Sequence, residues 1–249
     1  MIFRKSPEEL QRMRRAGRIT AAAREAVVEA VRPGITTAEL DTIAEKAIVD
    51  AGATPSFKGY RGFPASICAS VNDEIVHGIP GERILREGDL FKVDVGAIWE
   101  GFHGDSAVTV FVGSPPSDVA EKLVLVTRDA LEAGIAEVRP GARLTDISHA
   151  VQQVVEGAGF QVVREYVGHG IGRSLHEDPP LPNYGQPGRG PELGPGLVLA
   201  IEPMVNVGTW RTRLLADDWT VVTEDGQLSA HFEHTVAVTE DGAEVLTGP

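Results

Sequence analysis

The sequence predicts an α+β fold in which two similar halves each carry outer helices on an antiparallel sheet. An internal repeat is the first observation: residues 20–52 realign without gaps onto residues 127–159, at an offset of 107. A strand-rich stretch follows each copy, at about residues 57–111 and about residues 162–246. Because helices precede strands in each half rather than alternating with them, an antiparallel sheet is favoured over a parallel one.

Each copy of the repeat has the pattern of a helix, a Pro-Gly break, a second helix and a Gly stop. The break at residues 31–34 recurs identically at residues 138–141, which disfavours a chance similarity between two amphipathic helix pairs. Ser or Thr followed by Glu three residues later is typical of a helix start, and Gly of a helix end. The predicted starts are Ser6 with Pro7 and Glu9, Thr36 with Glu39, and Ser117, and the predicted ends are Gly52, Gly157 and Gly159.

Four segments rich in β-branched and aliphatic residues each have one carboxylate in or beside them, and they predict buried strands. Burying an unpaired carboxylate there costs on the order of several kcal/mol. One such group fits a structural ion pair, but four of them, with a histidine between glycines, favour neutralisation by cations. The candidate ligands are Asp94 within 91–97, Asp105 at the start of 105–111, His169, Glu202 at the end of 197–202, and Glu233 before 235–238.

The size of this ligand set indicates how many ions it holds. Four carboxylates and one imidazole exceed the protein ligands of an ordinary zinc site. They suit two divalent ions about 3.5–4 Å apart, bridged by carboxylates and by water or hydroxide. An oxygen-rich set with one imidazole favours manganese, iron, cobalt or zinc over a thiolate site. Structural ion pairs inside the strands are the alternative interpretation.

The composition is that of an ordinary globular protein, with 249 residues, 42% hydrophobic and 24% charged. A net charge of −13 argues against direct binding of nucleic acid. Cys68 is the only cysteine, so no intramolecular disulfide is expected. The N-terminal residues lack the apolar core of a signal peptide, and no apolar run approaches the ~18 residues of a membrane span. We therefore expect a cytoplasmic enzyme that does not enter a membrane.

The five candidate ligands, in this order and context, resemble the metal ligands of the methionine aminopeptidases, and the resemblance covers nearly the whole chain. The short span between His169 and Glu202 leaves no room for the large insertion of the type II enzymes. The chain therefore resembles the type I, bacterial-style enzymes. Supporting segments are 70–80 (SVNDEIVHGIP), 166–172 (YVGHGIG), 201–204 (IEPM) and 217–223 (DDWTVVT).

The resemblance implies the pita-bread fold, whose pseudo-twofold halves agree with the internal repeat. We expect residues 1–249 to form a single catalytic domain, with halves at about residues 1–112 and 117–249. Residues 113–117, which contain Gly, Ser and Pro, are the predicted connection between the halves. The metal ions would then lie in the crease between the halves.

The implied reaction is removal of the initiator methionine, by attack of a metal-bridging hydroxide on the first peptide bond. Asp105 and Glu233 would bridge two divalent ions, of cobalt, manganese, iron or zinc. Asp94 would bind one ion, and His169 and Glu202 would bind the other. Glu202 would also accept the proton of the attacking water and pass it to the leaving amine.

The resemblance further implies which residues contact the substrate. His77 and His176 would contact the substrate and the tetrahedral intermediate without binding metal. Two positions of the implied methionine pocket depart from the family pattern: Leu175 stands where a phenylalanine is expected, and Phe57 where some relatives have cysteine. The implied pocket consists of Phe57, Tyr60, Phe63, Cys68, Leu175 and Trp219.

The resemblance also implies partners and one more ion. A weak monovalent-cation site, formed largely by backbone oxygens, is expected near Asn72 and Ser229. The substrates would be peptides and nascent chains with N-terminal methionine. The enzyme is expected to be a monomer, and a transient contact with the ribosome fits the implied role.

Three alternatives stay open at this stage. A prolidase or proline-specific aminopeptidase has the same fold, and a non-catalytic module of that fold binds peptides. The segment from His103 to Asp105 resembles part of the facial triad of iron oxygenases, which would leave Glu202 and Glu233 without a role. His103, His231 and His234 lie either beside the metal ligands or on the surface, and His149 is expected to be unrelated to the chemistry.

Overall fold

The structure is a computed structural model that describes residues 1–248. Within these residues, two blocks follow one another along the chain, and each block is a helix pair followed by strands. The mixed helix and antiparallel strand content predicted from the sequence is therefore confirmed. The helices are α1 (Pro7–Ala30), α2 (Thr37–Asp50), α3 (Asp118–Ala136) and α4 (Leu144–Gly157), and a 3-10 turn covers Tyr60–Gly62.

The sequence repeat is also a structural repeat. Helices α2 and α4 each have 14 residues, and their starts differ by the 107 positions that separate the repeats in the sequence. Each of them packs against the helix that precedes it. Gly34 and Gly141 have positive φ, of 92° and 85°, in the break between the paired helices. Glycine adopts this conformation without the steric cost of a Cβ atom, which accounts for its presence in both copies.

Local side-chain caps start the helices as predicted. The Ser6 hydroxyl accepts from Glu9 N, and the Glu9 carboxylate accepts from Ser6 N at 2.9 Å. Thr36 and Glu39 make the same reciprocal pair at α2, and Ser117 caps α3. Such a cap satisfies backbone N–H groups that have no partner in the helix, and it is worth ~1 kcal/mol.

Every strand pair formed within residues 1–248 is antiparallel. The strands are β1 (Thr54–Pro55), β2 (Ile67–Val71), β3 (Glu74–Val76), β4 (Leu90–Trp99), β5 (Phe102–Phe111), β6 (Gln161–Val162), β7 (Gly168–Gly170), β8 (Glu177–Leu181), β9 (Val198–Ile201), β10 (Met204–Asn206), β11 (Thr212–Leu214), β12 (Val221–Thr223), β13 (Ser229–His231), β14 (His234–Thr239) and β15 (Gly242–Val245). The larger sheets have the orders β1-β4-β2, with β5 beside β4, and β15-β14-β9-β7-β8. The smaller sheets have the orders β13-β10-β6 and β11-β12-β3.

Each helix pair covers one face of a larger sheet with apolar side chains. In the first half, buried Leu40 of α2 belongs to one hydrophobic cluster with Val93 and Val95 of β4. A second cluster combines residues of α3 and α4 with β9 and β14 in the same way. Because side chains alternate along a strand, Lys92 and Asp94 of β4 point to the face away from the helices. That face is where the candidate site forms.

The two halves meet along β5 and the start of β14. Ala107 and Glu233 exchange both of their backbone hydrogen bonds, with N–O distances of 2.9 and 3.4 Å. The Thr235 hydroxyl accepts from Asp105 N at 2.9 Å and donates to Asp105 O at 2.8 Å. These bonds bring Asp105 of the first half beside Glu233 of the second.

Two predicted strand boundaries are wrong by a few residues. Asp105 lies inside its strand rather than opening it, because β5 starts at Phe102 after a tight turn. Glu100 and Gly101 both adopt positive φ in that turn, which the sequence pattern did not indicate. The first strand-rich stretch also begins earlier than residue 57, since β1 starts at Thr54.

The helices can be compared with what a membrane-spanning helix requires. Of those within residues 1–248, none combines the length and the apolar character that a membrane crossing requires.

Candidate active site

Asp94 and Asp105 project from the same face of the β4–β5 ladder. Asp94 lies opposite Ala107, and Asp105 lies opposite Gly96, so the two carboxylates are diagonal neighbours across the strands. Residues two positions apart on a strand point to the same side, and diagonal neighbours are within reach of each other. The register of one long hairpin therefore places both carboxylates on the face away from the helices.

The second half contributes its groups by the same periodicity. His169 of β7 and Thr235 of β14 both lie opposite Ala200 of β9. Glu202 is two residues beyond Ala200, and Glu233 is two residues before Thr235, so both continue the face that His169 occupies. Three neighbouring strands thus direct one imidazole and two carboxylates toward the pair from the first half.

The structure brings all five predicted ligands together. Ligand atoms of Asp105, His169 and Glu233 all lie within 4.8 Å of one another. His169 Nε2 is 3.9 Å from Asp105 Oδ2 and 3.6 Å from Glu202 Oε1. Asp94 and Asp105 are close enough for their carboxyl groups to share a hydrogen bond when one of them is protonated. Distances of this size leave space for cations between the side chains.

The carboxylates have the properties of a cation site rather than of structural ion pairs. Oxygens of Asp94, Asp105 and Glu233 are buried and have no hydrogen-bond partner within residues 1–248. Over the same range, only histidines lie within salt-bridge distance of the Asp105 and Glu202 carboxylates. Buried charge without a partner is strongly unfavourable, so this cluster fits divalent ions. The donor set, four carboxylates and one imidazole, is the kind that such ions prefer.

The pKa values of the carboxyl groups also indicate that the ionised cluster needs cations. Burial raises the pKa of Asp94 to about 7 and that of Glu202 to about 8. Burial, together with repulsion from neighbouring carboxylates, raises the pKa of Asp105 and Glu233 well above its ordinary value. Without cations the cluster therefore favours protonated carboxyl groups at neutral pH, and bound cations would restore the ionised forms.

His169 is oriented for metal binding by the backbone. Its Nδ1 lies 2.9 Å from the carbonyl oxygen of Gly170, which can only accept, so Nδ1 carries the proton. Burial lowers the pKa of His169 to about 3, which keeps the imidazole neutral. The lone pair of Nε2 then faces the carboxylates, as a metal-ligating histidine requires.

A cavity of about 180 Å³ opens onto the five-residue cluster. All eight predicted substrate-contact residues line it, so the two positions that depart from the family pattern, Phe57 and Leu175, both lie in its wall. Phe63 and Trp219 pack edge to face with ring centroids 5.0 Å apart. The aromatic and aliphatic wall suits an unbranched apolar side chain. The predicted contact residues are Phe57, Tyr60, Phe63, Cys68, His77, Leu175, His176 and Trp219.

The two predicted non-ligand histidines lie at different depths of this cavity. His77 is largely covered, its backbone has positive φ of 62°, and its ring packs edge to face on Tyr166. His176 is exposed at the mouth, where its ring centroid is 4.2 Å from that of His169. Burial lowers the pKa of His77 to about 4 and also lowers the pKa of His176. Both imidazoles are therefore neutral near pH 7.

Some residues of the cavity carry no predicted role. Tyr166 and Met204 lie inside sequence segments that resemble the family, yet only their neighbours His169 and Glu202 were singled out. Their direct proximity to candidate ligands was the available signal. Val76 and Val167 lie in segments of the same kind, beside His77 and Tyr166, whereas nothing in the sequence distinguishes Arg61, whose side chain reaches the cavity only through the fold. The lining residues without a predicted role are Arg61, Val76, Tyr166, Val167 and Met204.

Of the other histidines named from the sequence, one lies beside the candidate ligands and two do not. His231 is buried beside the cluster, with Nε2 3.5 Å from Glu202 Oε2. His103 and His234 face hydroxyl groups instead, of Ser56 at 3.0 Å and Thr247 at 2.8 Å. The oxygenase alternative loses its support, because Asp105 lies with Glu202 and Glu233 rather than with His103 alone.

The expectation of a monovalent cation near Asn72 and Ser229 needs a correction. Both carbonyl oxygens accept hydrogen bonds from Lys92 Nζ, at 2.8 and 2.9 Å. The positive charge expected from an ion is thus supplied by a side chain of this chain. Burial lowers the pKa of Lys92 to about 7, whereas the two carbonyl acceptors favour its ammonium form.

Comparison with known families agrees with an enzyme that depends on metal ions. The model of metallopeptidase family M24 matches residues 11–240. The chain therefore belongs to metallopeptidase family M24, and it is an enzyme that depends on divalent metal ions.

Within that family, individual relatives define the subgroup. Methionine aminopeptidase 1 of Bacillus subtilis is 57% identical over 247 residues, with 99% of each chain covered. Methionine aminopeptidase 1 of Mycobacterium tuberculosis is 52% identical, over 99% of this chain and 95% of its own length. The chain is a bacterial-type member of the methionine aminopeptidase group, as the sequence resemblance implied.

Solved structures of related proteins also support the fold. The methionine aminopeptidase from Thermotoga maritima superposes with a TM-score of 0.98 at 48% identity and covers 100% of both chains. The prolidase from Pyrococcus furiosus has a TM-score of 0.81 at 22% identity, over 99% of this chain and 65% of its own. At this low identity, the likeness to the prolidase concerns the fold alone. The predicted pita-bread fold is confirmed.

Proposed function

We propose that this metallopeptidase removes the initiator methionine from the N-terminus of new proteins and peptides. One observation carries the proposal: a cavity with an aromatic and aliphatic wall ends on a five-residue cluster suited to divalent cations. The names of the relatives, methionine aminopeptidases at 44–57% identity, support the same activity. A closed apolar wall beside the metal cluster selects a first residue that is both terminal and apolar.

The proposed cofactor is a pair of divalent ions, of manganese, iron, cobalt or zinc. Asp105 and Glu233, which meet where the two halves join, are proposed to bridge the ions. Asp94 is proposed to bind one ion, and His169 and Glu202 the other. When bound, such ions acidify water, polarise the carbonyl of the scissile bond and hold the free α-amine.

Glu202 is the proposed proton carrier of the reaction. Its carboxylate lies at the junction of the metal cluster and the cavity, 3.6 Å from His169 Nε2 and 3.5 Å from His231 Nε2. There it accepts the proton of the attacking water and delivers it to the leaving amine. Without cations, burial raises the pKa of Glu202 to about 8, and bound cations would favour the carboxylate form that accepts this proton.

His77 and His176 are proposed to contact the substrate rather than the ions. Their lowered pKa values keep them neutral, so each ring offers one N–H donor and one acceptor. A neutral donor whose ring centroid lies 4.2 Å from that of His169, as the His176 ring does, suits the oxygen on which charge develops during attack. We assign that role to His176, and a contact with the substrate backbone to His77.

The apolar wall is proposed to bind the methionine side chain. Tyr60, Phe63, Cys68 and Trp219 surround a space suited to a flexible, polarisable thioether. Burial of such a side chain contributes roughly 1.5–3 kcal/mol, whereas a buried unpaired charge costs more than that. The family resemblance adds that the second residue of the substrate must be small.

The proposed cellular setting follows the sequence expectations. We propose one catalytic domain over residues 1–249, made of the two halves and acting as a cytoplasmic monomer that meets nascent chains near the ribosome. Apart from the exposed N-terminal residues Met1, Ile2 and Phe3, exposed large hydrophobic residues such as Val49, Leu125 and Leu214 lie on different elements, and residues exposed singly do not indicate an interface. Sedimentation measurements at micromolar concentration test this proposal, and a dimer would contradict it.

A comparison of substrates tests the proposed function. Hydrolysis of Met-Ala-Ser, Leu-Ala-Ser, Lys-Ala-Ser and an Xaa-Pro peptide is measured under one metal condition, with manganese, iron, cobalt or zinc added in turn. We expect the highest kcat/KM for Met-Ala-Ser and no turnover after chelation. Preference for the Xaa-Pro peptide would favour a prolidase activity. Absence of turnover with every metal would favour a binding module.

A further inference from the structure

Lys92 is a buried lysine whose partners are backbone carbonyl groups. It lies on β4, its side chain is only 2% exposed, and its Nζ donates to Asn72 O at 2.8 Å and to Ser229 O at 2.9 Å. Within residues 1–248 it forms no salt bridge with a carboxylate. Backbone carbonyl oxygens also bind dissolved monovalent cations, as in the filters of potassium channels, so two of them can stabilise an ammonium group.

The two carbonyl groups belong to different halves of the molecule. Asn72 forms the turn between β2 and β3 with a positive φ of 59°, and Ser229 is the first residue of β13. Ser229 N also donates to Asn72 O, at 3.1 Å. The side chain of Asn72 is held separately, because it bonds to Asp89 and to Leu90 N at 2.9 Å each. Lys92 therefore closes a junction between a turn of the first half and a strand of the second.

Both of these elements continue directly into the candidate active site. The turn at Asn72 leads through β3 to His77, and β13 leads from Ser229 to His231. His231 lies 3.5 Å from the Glu202 carboxylate. Lys92 itself is two residues from Asp94 on β4, so both side chains project from the same face of the strand. The ammonium group thus lies at the base of the site, under the elements that carry two of its histidines.

We propose that the Lys92 ammonium is a built-in monovalent cation that positions His77 and His231 by holding the Asn72 and Ser229 carbonyl groups. Lys92 is a positioning residue: among residues 1–248, it is not part of the cavity lining, and its Nζ makes no hydrogen bond to a proposed ligand. Because the charge is covalently attached, the enzyme needs no dissolved sodium or potassium. The consequence for catalysis rests on the proposed function, whereas the consequence for stability does not.

Chemical rescue tests this proposal. Lys92→Ala removes the ammonium and leaves a space beside the carbonyl groups that potassium or methylammonium can enter. Lys92→Met is the matched control, since it removes the charge but fills the space. The melting temperature of chelator-treated wild type and both variants is measured in choline chloride, potassium chloride and methylammonium chloride. We expect the small cations to raise the melting temperature of Lys92→Ala by several degrees relative to choline, and to leave wild type and Lys92→Met unchanged.

The same salts are then used to measure kcat and KM for Met-Ala-Ser with manganese. In choline chloride, Lys92→Ala is expected to lose roughly tenfold or more in kcat, because misplaced groups at a reacting centre cost up to about 10². Potassium or methylammonium should restore most of that loss in a saturable way, without a change in bound metal. Wild type should have the same kcat in all three salts.

Three results would overturn the proposal: a wild-type kcat that requires potassium, a Lys92→Ala kcat equal to wild type in choline, or no rescue of Lys92→Ala by any cation. If Lys92→Ala does not fold in choline, its refolding yield in methylammonium becomes the measurement, and no recovery overturns the proposal. A wild type that cleaves no methionine peptide contradicts the proposed function instead, and the melting experiment still tests Lys92.

Discussion

The Tyr60 hydroxyl lies 2.9 Å from His176 Nδ1, and the two rings stack with centroids 5.4 Å apart and an interplanar angle of 24°. A phenol O–H that donates to Nδ1 leaves the proton of the neutral imidazole on Nε2. The Tyr60 side chain thus orients the ring plane of His176, and its hydroxyl can donate to Nδ1 and so favour the tautomer with Nε2–H. Through that bond, an aromatic residue of the predicted methionine pocket also influences the reacting end of the cavity.

The substitution Tyr60→Phe tests the orientation of His176 without removing the aromatic ring that packs in the pocket. The ring and its stacking remain, but a hydrogen bond worth about 0.5–1.5 kcal/mol is lost. We expect kcat for Met-Ala-Ser to fall about two- to tenfold with little change in KM. Steady-state kinetics checks this, and a raised KM at unchanged kcat would show that the hydroxyl serves binding instead.

Removal of His176 should have a larger effect. His176→Ala deletes a donor proposed to stabilise the developing oxyanion, and loss of one such donor costs about 10²–10³ in kcat. Bound metal, measured by mass spectrometry, should stay near the wild-type level. His149→Ala is the matched control, since His149 lies on α4 and its ring faces the Gly185 carbonyl. Loss of metal from His176→Ala would make this histidine a ligand and our assignment wrong.

His77 requires a different substitution because its backbone has positive φ. Asparagine tolerates that conformation better than alanine, so His77→Asn removes the imidazole with less backbone strain. We expect a clear loss of turnover with normal metal content and an unchanged melting temperature. Unimpaired hydrolysis of Met-Ala-Ser by this variant would contradict a substrate contact at His77.

Trp219 provides a test of specificity. Its edge-to-face contact with Phe63 closes one side of the cavity, and such pairs contribute about 0.5–1.5 kcal/mol beyond burial. Trp219→Ala should narrow the ratio of kcat/KM between Met-Ala-Ser and Leu-Ala-Ser by about tenfold, the factor that corresponds to ~1.4 kcal/mol, while leaving the metals bound. An unchanged ratio would place the methionine side chain elsewhere in the cavity.

Above neutral pH, the metal-free protein should lose stability as the pH rises. Burial raises the pKa of Asp94 from 3.8 to about 7 and that of Glu202 from 4.5 to about 8. A carboxyl group with a raised pKa in the folded state binds more protons there than in the unfolded chain. Its contribution to stability is therefore present below about pH 4 and disappears as the pH rises toward about 8.

Bound divalent ions should reverse this dependence, because they favour the ionised carboxylates. Calorimetry of chelator-treated and manganese-loaded protein between about pH 7 and 8.5 measures both, because the buried histidines, whose pKa burial lowers, are neutral there in the folded and in the unfolded chain. We expect the melting temperature of the metal-free form to fall across the range and the stabilisation by manganese to grow. A metal-free melting temperature that rises with pH would mean that the carboxyl groups are neutralised within the protein.

Much of the fold was accessible from the sequence because its signals are local. Thr36 with Glu39 starts α2, and the Pro-Gly break at residues 31–34 separates the paired helices, without help from distant residues. The boundaries of β5 were less accessible. The turn before it uses positive φ at Glu100, a residue that carries no turn signal of its own.

The candidate metal ligands were also visible in the sequence, for a physical reason. A carboxylate inside an apolar strand, such as Asp94, is unfavourable unless a partner neutralises it, so its position already implies a cation. The sequence by itself therefore determined the helix repeat, the antiparallel class and the chemical nature of the site.

Only the tertiary structure decided which polar groups that are distant in the sequence meet. Lys92 finds two backbone carbonyl groups that are 20 and 137 residues away in the chain, and carbonyl oxygens have no sequence signature. Tyr60 meets His176 across 116 residues, through the closure of the two halves rather than through any local pattern. Charge and periodicity can be read along a chain, whereas contacts between a donor and a distant acceptor depend on strand register and on how the halves dock.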